Sequence, residues 1–192
     1  MAGNDGHPRA YGAIFYLRAT ENLEQAWLQQ LGADHSKRPS VYARAAIDAA
    51  AALVGDPTNA SWVQRHWGDD YLRRENVFYR MLLIDGLATH RLLTGDEQYS
   101  ALLAEQAESL SAQLDASAFG LLDDYPNECY PTDIIAAWRE IQRADLALGK
   151  DQRARIERGL RAFVGRAQSA QFKMNYLESS ANTFSRSKFS CP

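Results

Sequence analysis

The chain has 192 residues, enough for one domain with its own core, and its 46% hydrophobic and 23% charged residues are ordinary for a globular protein. A net charge of −3 with no long basic run argues against nucleic acid or an anionic membrane as the main partner. No apolar run reaches the roughly eighteen residues that a membrane span needs. The start, "MAGNDGHPRA", lacks a basic region followed by an apolar run, and Cys129 and Cys191 make no disulfide framework. The expectation is a cytoplasmic protein with free thiols.

Pattern reading predicts helices nearly throughout, because Ala, Leu, Glu, Gln and Arg dominate and strand-like alternation is missing. A first helix is expected over Tyr11–Leu31, stopping at Gly32. A second runs from Val41 to Val54, with Ser40 as N-cap and Gly55 just past its end. A third covers Asn76–Leu93, and Asp96 caps a fourth over Glu97–Ala116. A fifth starts near Thr132 and ends before Gly149. A sixth begins near Asp151 and shows Ile156, Leu160, Phe163 and Val164 on one face.

The third and fifth helices are apolar on most sides, whereas the fourth and sixth carry one-sided stripes. The first kind is buried all round and the second covers the outside. Inner and outer helices therefore alternate. The stretches "GDDYLRRENVFYRMLLIDGLATHRLLTGDEQ" and "LDDYPNECYPTDIIAAWREIQRADLALGKDQ" also align without a gap at an offset of 54. Asp69-Asp70-Tyr71 falls on Asp123-Asp124-Tyr125, and Gly95 falls on Gly149. Each unit reads as an acidic-Tyr loop, an inner helix, a Gly turn and an outer helix. About fifty residues is the size of one hairpin in a helical repeat. The predicted fold is all-α: helical hairpins forming an incomplete (α/α)6-type toroid in one domain over 1–192, with an irregular tail at 185–192. Six such hairpins need roughly 300 residues. The chain is therefore expected to lack C-terminal hairpins, and exposed inner faces would favour self-association.

In such an arrangement the loops entering the inner helices converge at one mouth. That places Asp69, Asp70 and Tyr71 near Asp123, Asp124, Tyr125, Glu128, Cys129 and Tyr130, with helix N-termini pointing at them. Clustered, partly buried carboxyls hold protons more tightly, and a protonated acid beside an ionised one is the usual basis of acid–base work. Asp70, Asp124, Glu128 and Cys129 are the catalytic candidates; Trp67, Tyr71, Tyr125, Tyr130 and Asp133 are the substrate-binding ones. The plainer alternative is that the same acids cap helices and the prolines only make turns. His66 lies within reach of the mouth, and His90 is expected at the far end of its helix. No zinc spacing, Gly-rich phosphate loop or G-x-S-x-G elbow occurs, so neither a metal nor a cofactor is expected.

The stretches "ENVFYRMLL", "TGDEQY", "DYPNECYPTDIIAA" and "YLESSANTF" resemble the linalool dehydratase/isomerase-like proteins over about Trp67–Phe184. The resemblance implies an (α/α) toroid with a hydrophobic cavity at its mouth. There, acid–base groups would add, remove or shift a hydroxyl on a small apolar alcohol. Two departures stand out. The family's loop carries a pair of cysteines where this one has only Cys129, and its histidine one turn after "NVFY" is replaced here by Met81 and Leu82. Two other functions fit the same pattern: a carbohydrate-active toroid (a glycosidase or polysaccharide lyase), and a helical-repeat interaction module with no enzymatic activity.

Overall fold

The computed structural model describes residues 7–30, 34–117, 120–151 and 157. Apart from Asp151 and Glu157, the expected sixth helix lies outside them, as do the segment Tyr176–Phe184, Cys191 and the tail. The described residues are all-α and contain no strand beyond a single bridge between Tyr125 and Glu128. Seven α-helices occur among them: α1 (His7–Leu28), α2 (Pro39–Tyr42), α3 (Arg44–Gly55), α4 (Ser61–Trp67), α5 (Val77–Thr94), α6 (Ser100–Ala116) and α7 (Pro131–Ala147).

The expected second helix is split in two at Ala43, and Ser40 does not cap it. Ser40 is buried inside α2, where its N–H and hydroxyl both donate to Glu24 at 2.9 Å. The short α4 had no sequence signal, since seven residues are too few to display a helical period. Asp96 acts one step early: its carboxylate accepts from Gln98 N–H, while the position before α6 is held by Tyr99.

Helix directions follow from which residues meet. On α1 and α5, Tyr11 packs against Phe78 with ring centroids 5.8 Å apart, and Arg18 approaches Asp85, so the two run parallel and in register. The starts of α5 and α7 meet the same loop, and their ends meet where Arg91 Nε donates to Ala147 O at 2.7 Å. Thus α1, α5 and α7 are three parallel helices. The other two long helices run the opposite way. Asp48 of α3 meets His90, while Val54 lies against Gly86. Arg80 of α5 reaches Ser109 of α6, while Arg91 reaches Ser100. Successive long helices from α3 to α7 thus run in alternate directions, as helical hairpins do.

α5 occupies the centre, packed against α1, α3, α6 and α7, and every residue from Leu83 to His90 is buried. Its packing against α7 is the most extensive among the described helices. Gly86 allows the approach of α3, because a Cβ there would stand 2.8 Å from Val54 Cγ1. The offset of 54 is exact at the helix starts, Val77 and Pro131. It recurs at the ends, where Gly95 and Gly149 adopt φ of 70° and 68°. Both reverse the chain in the left-handed conformation that glycine takes without steric cost.

Candidate functional site

The N-terminal ends of the three parallel helices gather around the loop 120–130. Asn127, at φ 66°, turns this loop back so that Tyr125 and Glu128 bridge. Asn tolerates that conformation better than most residues. Asn127 N–H donates to Asp123 Oδ2 at 2.7 Å, and Glu128 O accepts from Asp124 N–H at 2.8 Å. The folded loop then covers two helix starts together. Asp123 O accepts from Val77 N–H at the head of α5, and Asp124 Oδ2 accepts from Tyr130 N–H, 2.7 Å away, at the head of α7. Neither helix has a side-chain cap of its own. Asp123 and Asp124 therefore satisfy helix N-termini by reaching across, and the capping reading holds for them in this altered form.

Asp124 is 1% exposed. Burial raises its pKa to about 7, and the charges of Asp133 and Asp123 add to the rise. The backbone N–H groups of Tyr130 and Phe78 act in the opposite direction, favouring the ionised form, and do not overcome the loss of water. Asp133, in the first turn of α7, is half-buried and also raised, chiefly by burial. Tyr11 of α1 completes this layer. Burial, then the charges of Tyr125 and Asp133, push its hydroxyl up to about 12. An aromatic wall surrounds the group: Tyr125 lies 6.3 Å from Phe78, 6.4 Å from Trp62 and 5.5 Å from His66, measured between ring centroids.

The remaining candidates divide between mouth and elsewhere. Glu128 Oε2 accepts the Tyr130 hydroxyl at 3.1 Å on the rim of the loop. Cys129 is buried, 2% exposed, as a free thiol next to it in sequence. Trp67 packs partly buried against the core. Tyr71 is buried, but it turns to Tyr79, ring centroids 5.6 Å apart, rather than towards Asp124. Asp70 is exposed, as is Asp69. The expected pairing of Asp70 with Asp124 is therefore corrected: one stands in solvent and the other is enclosed. Arg73 N–H donates to Asp70 O at 2.7 Å, which holds the first loop in a turn with its acids outward. His90 lies at the far end of α5, with Nε2 2.9 Å from Asp48 Oδ1.

A second polar layer was not legible from the sequence. It lies seven residues further along each of the three parallel helices: Arg18 after Tyr11, Asp85 after Phe78, Glu140 after Asp133. Seven residues are nearly two turns, so each lies on the same face as its mouth partner, about 10 Å deeper. Glu21, Thr89 and Arg143 complete it. One signal was present: Asp85 interrupts the apolar run "MLLIDGLA". Its partners were hidden, because the register of α1 against α5 and α7 cannot be read from any one helix.

Among the described residues no group of three or more His, Cys, Asp or Glu side chains is placed to hold a metal ion, and no helix is long and apolar enough to cross a membrane. No protein-family model matches the chain, and no curated protein matches it either.

Proposed function

We propose that the chain is an acid–base enzyme of the linalool dehydratase/isomerase-like kind, built on part of an (α/α) toroid. It would dehydrate, hydrate or isomerise a small, largely apolar alcohol. The observation that carries this reading is Asp124: a carboxyl enclosed where three parallel helices begin, with a pKa of about 7. Such a group carries its proton near neutral pH and can give it to a substrate hydroxyl. In the dehydration direction, the Asp124 proton goes to the hydroxyl oxygen, the C–O bond breaks and water leaves. Asp133 then accepts the proton from the adjacent carbon, and the double bond forms. Hydration is the reverse. Tyr11 and Tyr125 orient the hydroxyl, and the converging helix N-termini favour the ionised carboxylate left behind.

The aromatic wall of Trp62, Phe78 and Tyr125 suits an apolar substrate. It favours the alcohol over a sugar, because the wall is apolar and Trp67, the residue expected as a stacking platform, packs against the core. The test is a panel of five- to ten-carbon tertiary and allylic alcohols, with alkene and isomer products followed by gas chromatography. Asp124→Asn is expected to lower turnover by about 100-fold or more, the usual worth of a general acid. In the dehydration direction, wild-type turnover should fall as pH rises through about 7, where the acid form is lost. Full activity of Asp124→Asn on a substrate that the wild type converts would remove the assignment.

A further inference from the structure

The deeper layer has a charge balance of its own. Glu21 takes most of the available guanidinium contact: Arg18 Nη1 lies 2.9 Å from its Oε2, and Arg143 Nη2 lies 2.9 and 3.1 Å from its two oxygens. Arg143 Nη2 also donates to Thr89 at 2.8 Å. Asp85 and Glu140 are left with the guanidinium Nε atoms. Arg18 Nε is 3.5 Å from Asp85, and Arg143 Nε is 3.9 Å from Asp85 and 2.9 Å from Glu140. The last contact is close but poorly aligned, so it does not form a hydrogen bond. Arg139, 4.0 Å from Glu140, has a side chain that is 65% exposed, and water screens it. Fully ionised, the layer holds three carboxylates against the enclosed Arg18 and Arg143. The surplus negative charge would sit where Glu140 is 5% and Asp85 9% exposed.

We propose that Asp85 and Glu140 form a second proton-holding site, whose one retained proton keeps α1 clamped to α5 and α7. The proton removes the surplus charge, and its loss sets two enclosed carboxylates against each other across Arg143. The Glu21 and Arg18–Asp85 contacts then hold the clamp against that repulsion. The shifts agree with this: burial, then the charge of Asp85, pushes Glu140 up to about 7, and burial raises Asp85. The opposing groups on these three helices are Arg18, Arg143 and Arg139, and Glu21 adds to the repulsion.

The sign follows from a folded-state pKa above the ordinary 4.5 of Glu140. The stabilisation is fully present below about 4.5 and is lost as pH rises through about 7. Glu24, Asp48 and Asp56 are lowered, so their contributions change only below the ordinary carboxyl range. A window from pH 5 to 8 is therefore clear of them. Asp124 and Asp133 have the same sign as Glu140; Asp124→Asn removes the first and keeps this test separate from the proposed reaction, and Asp133 is common to both proteins, so the difference between their slopes reports Glu140.

The experiment compares Asp124→Asn with Asp124→Asn/Glu140→Gln by urea unfolding, and follows amide hydrogen exchange of α1 across the window. With Glu140 present, the unfolding constant should rise by up to about tenfold per pH unit towards pH 7, the linkage slope of one proton. With Glu140→Gln added that slope should flatten, and the protection factors of α1 (exchange divided by the intrinsic rate at each pH) should no longer fall with pH. Equal slopes in the two proteins, or α1 protection factors indifferent to pH in both, would overturn the proposal. If the double variant does not fold, carboxyl carbon-13 NMR of the wild type decides. A Glu140 midpoint near 7 supports the shared proton, and one below 5 refutes it.

Discussion

The two acidic-Tyr loops carry the same three letters at the same distance from an inner helix, yet they are fixed in opposite ways. The first, 68–76, is held from outside. Arg80 of α5 donates to Arg74 O at 2.8 Å and Gln113 of α6 to Arg73 O at 2.9 Å, so backbone carbonyls are anchored while Asp69 and Asp70 face water. The second, 120–130, holds itself and its neighbours. Its carboxylates and carbonyls accept from Asn127, Tyr130 and Val77 N–H groups, and Asp124 is enclosed as a result. A repeated motif thus preserved the placing of a helix start and not the environment of its acids. Which loop lies over the other was decided by packing: Asp123 N–H donates to Glu75 and Asp123 O accepts from Val77, so the second loop sits on the first.

The largest expected effect removes the outside anchor. Arg80 is fully buried and donates to Gln106, Ser109, Gln113 and Arg74 O. Arg80→Ala leaves several of these unpaired at about 1–3 kcal/mol each, so urea unfolding should report a loss of about 3–5 kcal/mol. The second loop makes the opposite prediction. Relative to wild type, Asp124→Asn should gain stability as pH rises from 5 to 8, because the wild-type carboxyl loses its favoured proton there. The gain in the folding constant reaches up to about tenfold per pH unit until pH 7, and thermal melts at both pH values measure it. A constant difference would mean that Asp124 titrates as an ordinary acid.

Smaller effects test where the two units remain equivalent. Gly95→Ala and Gly149→Ala place a side chain at φ near 70° in otherwise open space. Each should cost about 1 kcal/mol in a denaturation curve, and the two should match. Asp70→Asn should change stability by less than about 0.5 kcal/mol and leave any turnover intact. A large effect there would restore the symmetry between the loops that the structure breaks.

Much of the fold was legible because burial leaves a pattern within each helix. The all-round apolar α5, the striped α6 and the turns at Gly95 and Gly149 are local facts, and pattern alone put the two helix starts at Asn76 and near Thr132, each one residue from Val77 and Pro131. The site was legible only in part. Asp124, Tyr125 and Asp133 stood out as a dense acidic loop before a helix, but Tyr11 looked like the ordinary start of an amphipathic helix. Asp70 and Asp124 looked alike because sequence encodes which residues precede a helix, not which of two loops ends on top. Arg18, Glu21, Glu140 and Arg143 resembled a solvated helix face until the three helices were set side by side.

The seven-residue interval that separates Tyr11 from Arg18, Phe78 from Asp85, and Asp133 from Glu140 acts as a common ruler. One residue inserted between Asp133 and Glu140 would turn everything after it by about 100° and break the match with the other two rulers. Length variation among descendants of this chain should therefore avoid these three intervals. A lineage that changed one of them would have to change all three.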